Sequence, residues 1–130
     1  MSERLVVVVA AVVERDGRFL VTQRAPGAHL GGCWEFPGGK CESGESLHDA
    51  LRREMLEELD VRIDIDELLD TVDHVYPDRT VRLHFYRCHL KGELRPRQEQ
   101  ATRWVARTAL ASLEFPPADA ALIAKLASDG

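Results

Sequence analysis

Covalent staples are missing from this 130-residue sequence. Its three cysteines, Cys33, Cys41 and Cys88, are odd in number and form no CxxC pair. Neither a disulfide framework nor a zinc site is expected, and a reducing cytoplasm fits. No membrane span is expected either: a bilayer takes about 20 apolar residues, and the run from Leu5 to Val13 falls well short. That run also lacks the small-residue cleavage site of an export signal. A basic excess is absent, since seventeen Lys and Arg face twenty-two Asp and Glu for a net charge of −5. Polymeric DNA or RNA, gripped by clustered cations, is therefore a poor partner, whereas a nucleotide needs only about two or three local ones. Repeats, low-complexity tracts and linkers are likewise missing.

What remains is an ordinary globular composition, 45% apolar and 30% charged. A chain of this size buries roughly two-thirds of the surface it exposes when unfolded. That suffices for one unstapled domain over residues 1–130. The oligomeric state is left open, with a monomer favoured by a small margin.

Along the chain, Leu5 to Val13 is β-branched and nearly all apolar, which predicts a buried strand. A turn at Glu14-Arg15-Asp16-Gly17 and a second strand from Arg18 to Arg24 make the pair read as a hairpin. Ala25 to Cys33, with Pro26, Gly27, Gly31 and Gly32, is a loop. Trp34-Glu35-Phe36 is a short extended piece ending at Pro37-Gly38-Gly39. The clearest helix runs from Ser46 to Leu59. Strands follow near Leu69–Tyr76 and Thr80–Leu90 about a Pro77-Asp78 turn, with a short one at Trp104-Val105. A closing helix spans Pro117 to Leu126. The class is α/β with a mixed sheet.

The helix holds the informative residues. With Glu54 set at zero and a step of about 100° per residue, Leu47, Leu51, Met55 and Leu59 form one continuous apolar arc. Glu57 lies to one side at about −60°, while Glu58, at about +40°, falls between Leu47 and Leu51. A solvated acidic face is the ordinary reading of such glutamates, and Glu58 does not fit it. A carboxylate inside an apolar arc needs a cation. Arg53 can reach Glu57 across one turn but is poorly placed for Glu58. Carboxylates without Cys or His at regular spacing suit a hard ion, Mg²⁺ or Mn²⁺, whose shell water and substrate phosphates complete.

Gly39, Glu45, Arg53-Glu54-Met55-Leu56-Glu57-Glu58 and Val61, at these spacings, resemble the Nudix box. One fixed position departs: Asp60 stands where the family has a glycine in a left-handed turn, a conformation Asp tolerates. The resemblance extends over nearly the whole chain towards MutT-like nucleoside triphosphate pyrophosphohydrolases. It includes Glu35-Phe36-Pro37-Gly38-Gly39-Lys40, Tyr76-Pro77-Asp78-Arg79 and Phe115-Pro116-Pro117-Ala118-Asp119. It implies an α/β/α sandwich around a mixed sheet, and hydrolysis of a nucleoside triphosphate to the monophosphate and pyrophosphate.

The same resemblance implies that Glu54, Glu57 and Glu58 bind Mg²⁺, with the Gly38 carbonyl and Glu99 as further ligands and Glu54 as the base. Glu99 reads equally as a solvated loop charge. Glu45 and Arg53 orient the box by pairing. Arg24 falls at a phosphate-contacting position and Lys40 could serve similarly; each also reads as a surface cation. Arg79 and Phe36 belong to the nucleoside pocket, although Phe36 reads as well as plain core. His84 is structural.

Asp119 stands where sanitising enzymes commonly carry an Asn that hydrogen-bonds oxidised guanine. A protonated Asp imitates that amide, keeping 8-oxo-dGTP as substrate; an ionised one accepts from an amine such as cytosine N4. The corresponding segment of cytidine-triphosphate pyrophosphohydrolases also reads Pro-Ala-Asp. A helix cap is the plain structural alternative. Rival functions are a non-catalytic base-reading module, which typically loses the box glutamates, and a Nudix hydrolase of another nucleoside diphosphate derivative.

Overall fold

The computed structural model describes residues 4–28, 30–97 and 101–128. The apolar N-terminal run becomes β1 (Arg4–Arg15), and the other strands are arranged around it. It runs parallel to β6 (Arg79–Leu90), which pairs antiparallel with the edge strand β5 (Ile63–Tyr76). On its other side β1 meets β4 (Gly38–Lys40), with Val8 opposite Lys40, and then the start of β2 (Arg18–Gln23). β2 in turn carries β3 (Trp34–Glu35) and β7 (Thr102–Ala106). The sheet is mixed, as the sequence predicts.

Alternate side chains of β1 enter two different cores, which is why the strand shows no polar alternation. Val9, Ala11 and Val13 pack with Leu51, Met55 and Leu59 of α1 (Leu47–Leu59). Ala10 and Val12 pack with Phe85 and with Leu122 and Leu126 of α2 (Ala120–Ser128). One helix on each face completes the α/β/α sandwich.

Several boundaries differ from expectation. β1 and β2 pair only at Glu14↔Phe19 and Arg15↔Arg18, so the hairpin is brief and most of β1 pairs elsewhere. β5 begins at Ile63 rather than Leu69, because register shifts on either side of Leu68 break the alternation that marks a strand in sequence. Gly38–Lys40 forms a strand of its own, where the extended piece was expected to end. A Cβ on Gly38 would collide with the Val9 carbonyl, so only glycine permits this approach. The closing helix starts late, since Pro117–Asp119 forms a 3₁₀ turn before α2. A second 3₁₀ turn, Arg107–Ser112, has no counterpart in the sequence reading. Both ends of α1 agree with it. Ser46 Oγ accepts from the Asp49 amide at 3.1 Å. Asp60 takes the left-handed turn at φ 50° and ψ 43°, its N–H donating to the Leu56 carbonyl.

Candidate active site

Arg53 organises the carboxylates of α1. Its Nε and Nη2 donate to the two oxygens of Glu45 at 2.7 and 2.9 Å. Its Nη1 donates to Glu54 at 3.0 Å and Glu57 at 3.3 Å, and Nη2 also reaches the Lys40 carbonyl at 2.9 Å. These bonds hold the Glu45 carboxyl down to about 2. Glu45 and Arg53 thus orient the box by pairing, as expected. A Cβ on Gly39 would meet the carboxylate of Glu54, which lies against β4 and would have to shift.

Glu54 and Glu58 differ from the exposed Glu57. Burial raises Glu54, with the Arg53 bond opposing. Glu58 is pushed up to about 8, first by burial and then by the charges of Glu54 and Glu35, with the Gly38 backbone partly offsetting the shift. Among the described residues Glu58 has no ion-pair partner. An anion desolvated beside other anions is a place where a cation is stabilised. The donor set is all oxygen and suits Mg²⁺ or Mn²⁺. No group of three or more ligating side chains closes a cage among the described residues. Mg²⁺ does not need one, since it keeps waters and takes substrate phosphate oxygens beside one or two carboxylates.

Beside these groups opens a cavity of about 320 Å³. Val6, Val8 and Ala10 of β1 and Val81, Leu83 and Phe85 of β6 give it an apolar wall. Gly38, Gly39, Lys40 and Glu58 also line it. Phe36 is a core residue that also reaches the cavity. It is 3% exposed, packs against Phe85 and Phe115 with ring centroids 6.2 and 5.6 Å apart, and still lines the cavity. Arg79 lines it too, its guanidinium 5.5 Å from the Tyr76 ring. Arg24 also reaches the cavity, and its Nη1 is paired with Glu35 at 3.0 Å. Lys40 is exposed at the rim. Glu99 lies outside the described residues. His84 bonds Thr71 Oγ1 at 3.2 Å and stays out of the lining.

Asp119 is the buried acid of this cavity, 3% exposed. Its carboxyl is pushed up to about 7 by burial and then by the Glu35 charge, with Arg24 opposing. It forms no side-chain hydrogen bond among the described residues, which corrects the helix-cap alternative. The sequence reading gave no role to Glu35, Leu30 or Tyr76, which also line the cavity. Glu35 was detectable as an acid between two aromatics directly before the glycine pair. Leu30 carried no signal, because its left-handed backbone conformation is not legible in a leucine.

The profile of the NUDIX domain family matches residues 8–125. The chain is 34% identical to the 8-oxo-dGTP diphosphatase of Haemophilus influenzae, over 99% of this chain and 96% of that protein. It is also 34% identical to the CTP pyrophosphohydrolase of Escherichia coli, over 92% of this chain and 90% of that one. The solution structure of a MutT protein from Staphylococcus aureus superposes with a TM-score of 0.82 at 34% identity, covering 99% of this chain and all of its own. With the box glutamates in place, the Asp60 turn formed and the cavity beside them, the chain belongs to the Nudix hydrolases, as a MutT-like enzyme acting on pyrophosphate bonds.

Proposed function

We propose that this enzyme hydrolyses nucleoside triphosphates to the monophosphate and pyrophosphate, with 8-oxo-dGTP the preferred substrate and cytosine nucleotides the second choice. The carrying observation is Asp119: a buried carboxyl lining the cavity, unbonded within the described protein, and poised at about 7. Protonated, it donates to O6 of oxidised guanine while its other oxygen accepts from N7–H. Ionised, it accepts from cytosine N4. Both specificities are named among relatives of 34% identity, which supports keeping both.

Mg²⁺ is the proposed metal, with Mn²⁺ as substitute; bound, it neutralises the polyphosphate and activates a water. Glu54, Glu57 and Glu58, helped by the Gly38 carbonyl and Glu99, are its proposed ligands. Glu54, held by Arg53, is the proposed base for the attacking water. Lys40 and Arg24 contact phosphate, and Phe36 and Arg79 hold the nucleoside. The Arg24–Glu35 pair gives Arg24 a second task, opposing the burial that raises the Glu35 carboxyl beside Asp119. No helix among the described residues is long and apolar enough to cross a membrane. The proposed setting is one domain acting as a monomer on the cytoplasmic nucleotide pool, without nucleic-acid polymer.

The test is a substrate panel in Mg²⁺, wild type against Asp119→Asn, from pH 6 to 8.5. In the wild type, kcat/KM for cytosine nucleotides relative to 8-oxo-dGTP rises as the pH passes about 7. Asp119→Asn flattens that dependence and shifts the ratio towards 8-oxo-dGTP by about tenfold. An unchanged ratio removes Asp119 from base selection. No turnover of any nucleotide favours the base-reading module instead.

A further inference from the structure

Leu30 sits at φ 57°, in the left-handed region. For a leucine this conformation is costly, whereas glycine adopts it freely. Glycine at position 30 would take this turn without strain. The surrounding loop over-determines the conformation. The Arg24 amide bonds the Cys33 carbonyl at 2.8 Å, Gly32 N–H bonds the Arg24 carbonyl at 3.1 Å, and Cys33 N–H bonds the Leu30 carbonyl at 3.2 Å. Gly31 is wedged so tightly against the Ala25 and Pro26 carbonyls that no Cβ fits.

Core packing does not explain the strain. Among the described residues Leu30 belongs to neither hydrophobic core and remains partly exposed. Leu30 lines the cavity, where it joins Arg24, Glu35, Phe36 and Asp119. Backbone strain kept in place by its surroundings clusters at active sites and ligand clamps, and the strained Leu30 lines this cavity.

We propose that Leu30 is a substrate-binding residue that packs on the flat face of the nucleobase, which closes the cavity from the loop while Asp119 reads the base edge. This rests on the cavity being the base pocket. The contact is apolar and blind to ring substituents, so it adds affinity for every base alike.

Two variants test it. Leu30→Gly removes the strain together with the side chain, and Leu30→Asn keeps a residue that tolerates the left-handed turn. Both should hold the ligand-free Tm within about 2 °C of wild type or above it, since no core contact is lost. KM should rise about tenfold for 8-oxo-dGTP and for CTP alike, with kcat within about twofold. Inhibition by the nucleoside monophosphates should weaken in step, while inhibition by pyrophosphate stays unchanged. KM and monophosphate inhibition near wild type in both variants overturn the proposal. So does a fall in Tm and kcat together, which marks Leu30 as loop scaffold. Asp119→Asn separates the two failures. If it alters the base ratio while the Leu30 variants change nothing, only the Leu30 inference fails; if neither site alters nucleotide binding, the base-pocket reading fails as well.

Discussion

The half-buried Glu58 and the buried Asp119 are two acids with opposite needs. Glu58 lies among anions and has no ion-pair partner among the described residues, so its charge is offset only if the proposed cation binds. Glu58→Gln keeps the shape and removes the charge. Activity in saturating Mg²⁺ should fall about a hundredfold or more. The metal-free protein should gain roughly 1–2 kcal/mol, read as a Tm higher by several degrees. Activity within a few-fold of wild type excludes Glu58 as an essential ligand. Asp119 makes a matching pH prediction. Its folded-state value of about 7 lies above the ordinary carboxylate range, so the folded chain binds the proton more tightly than the unfolded one. The stability this contributes is fully present below about pH 4 and is lost as the pH rises through about 7. The Tm of Asp119→Asn should therefore gain on wild type across that window. Parallel Tm curves contradict the shift.

At the scale of elements, α1 is the platform of the site, and its C-terminal turn is its weak point. No basic residue lies in its last turn, and the acidic Asp60 sits at the negative end of the helix dipole in a strained conformation. Compensation comes from a distant segment: Arg97 donates from Nε to the Glu57 carbonyl at 2.6 Å and from Nη2 to Leu56 at 3.3 Å. Asp60→Gly, which relieves both the strain and the unfavourable charge, should stabilise the protein by roughly 0.5–1 kcal/mol. Thermal melts with and without Mg²⁺ read this. A loss of stability assigns Asp60 a contact beyond its turn. This helix was legible from sequence because capping and apolar spacing are local. The start of β5 was not, because its register shifts are set by pairing with β6.

For the whole molecule, the long edge strand β5 is the exposed liability, since it pairs with β6 alone among the described residues. Five acids, Asp64, Asp66, Glu67, Asp70 and Asp73, line it, and Leu68 and Val75 stand exposed among them. Charges on an edge discourage pairing with another chain. Replacing Asp64, Asp66 and Glu67 together by Thr should leave activity near wild type. It should also produce concentration-dependent association, visible by light scattering. A variant that stays monodisperse at high concentration shows that something else protects the edge.

The residue spacings of the box determined the family and the helix with its caps, because those features depend on neighbours within a few turns of chain. Tertiary structure decided which side chains share a cavity. It set Glu35, Leu30 and Asp119 around one space from three separate segments, and it turned the Gly38 step into a strand against β1. It also decided the protonation of the acids, since burial and the field of distant charges exist only once the sheet and its two faces are assembled.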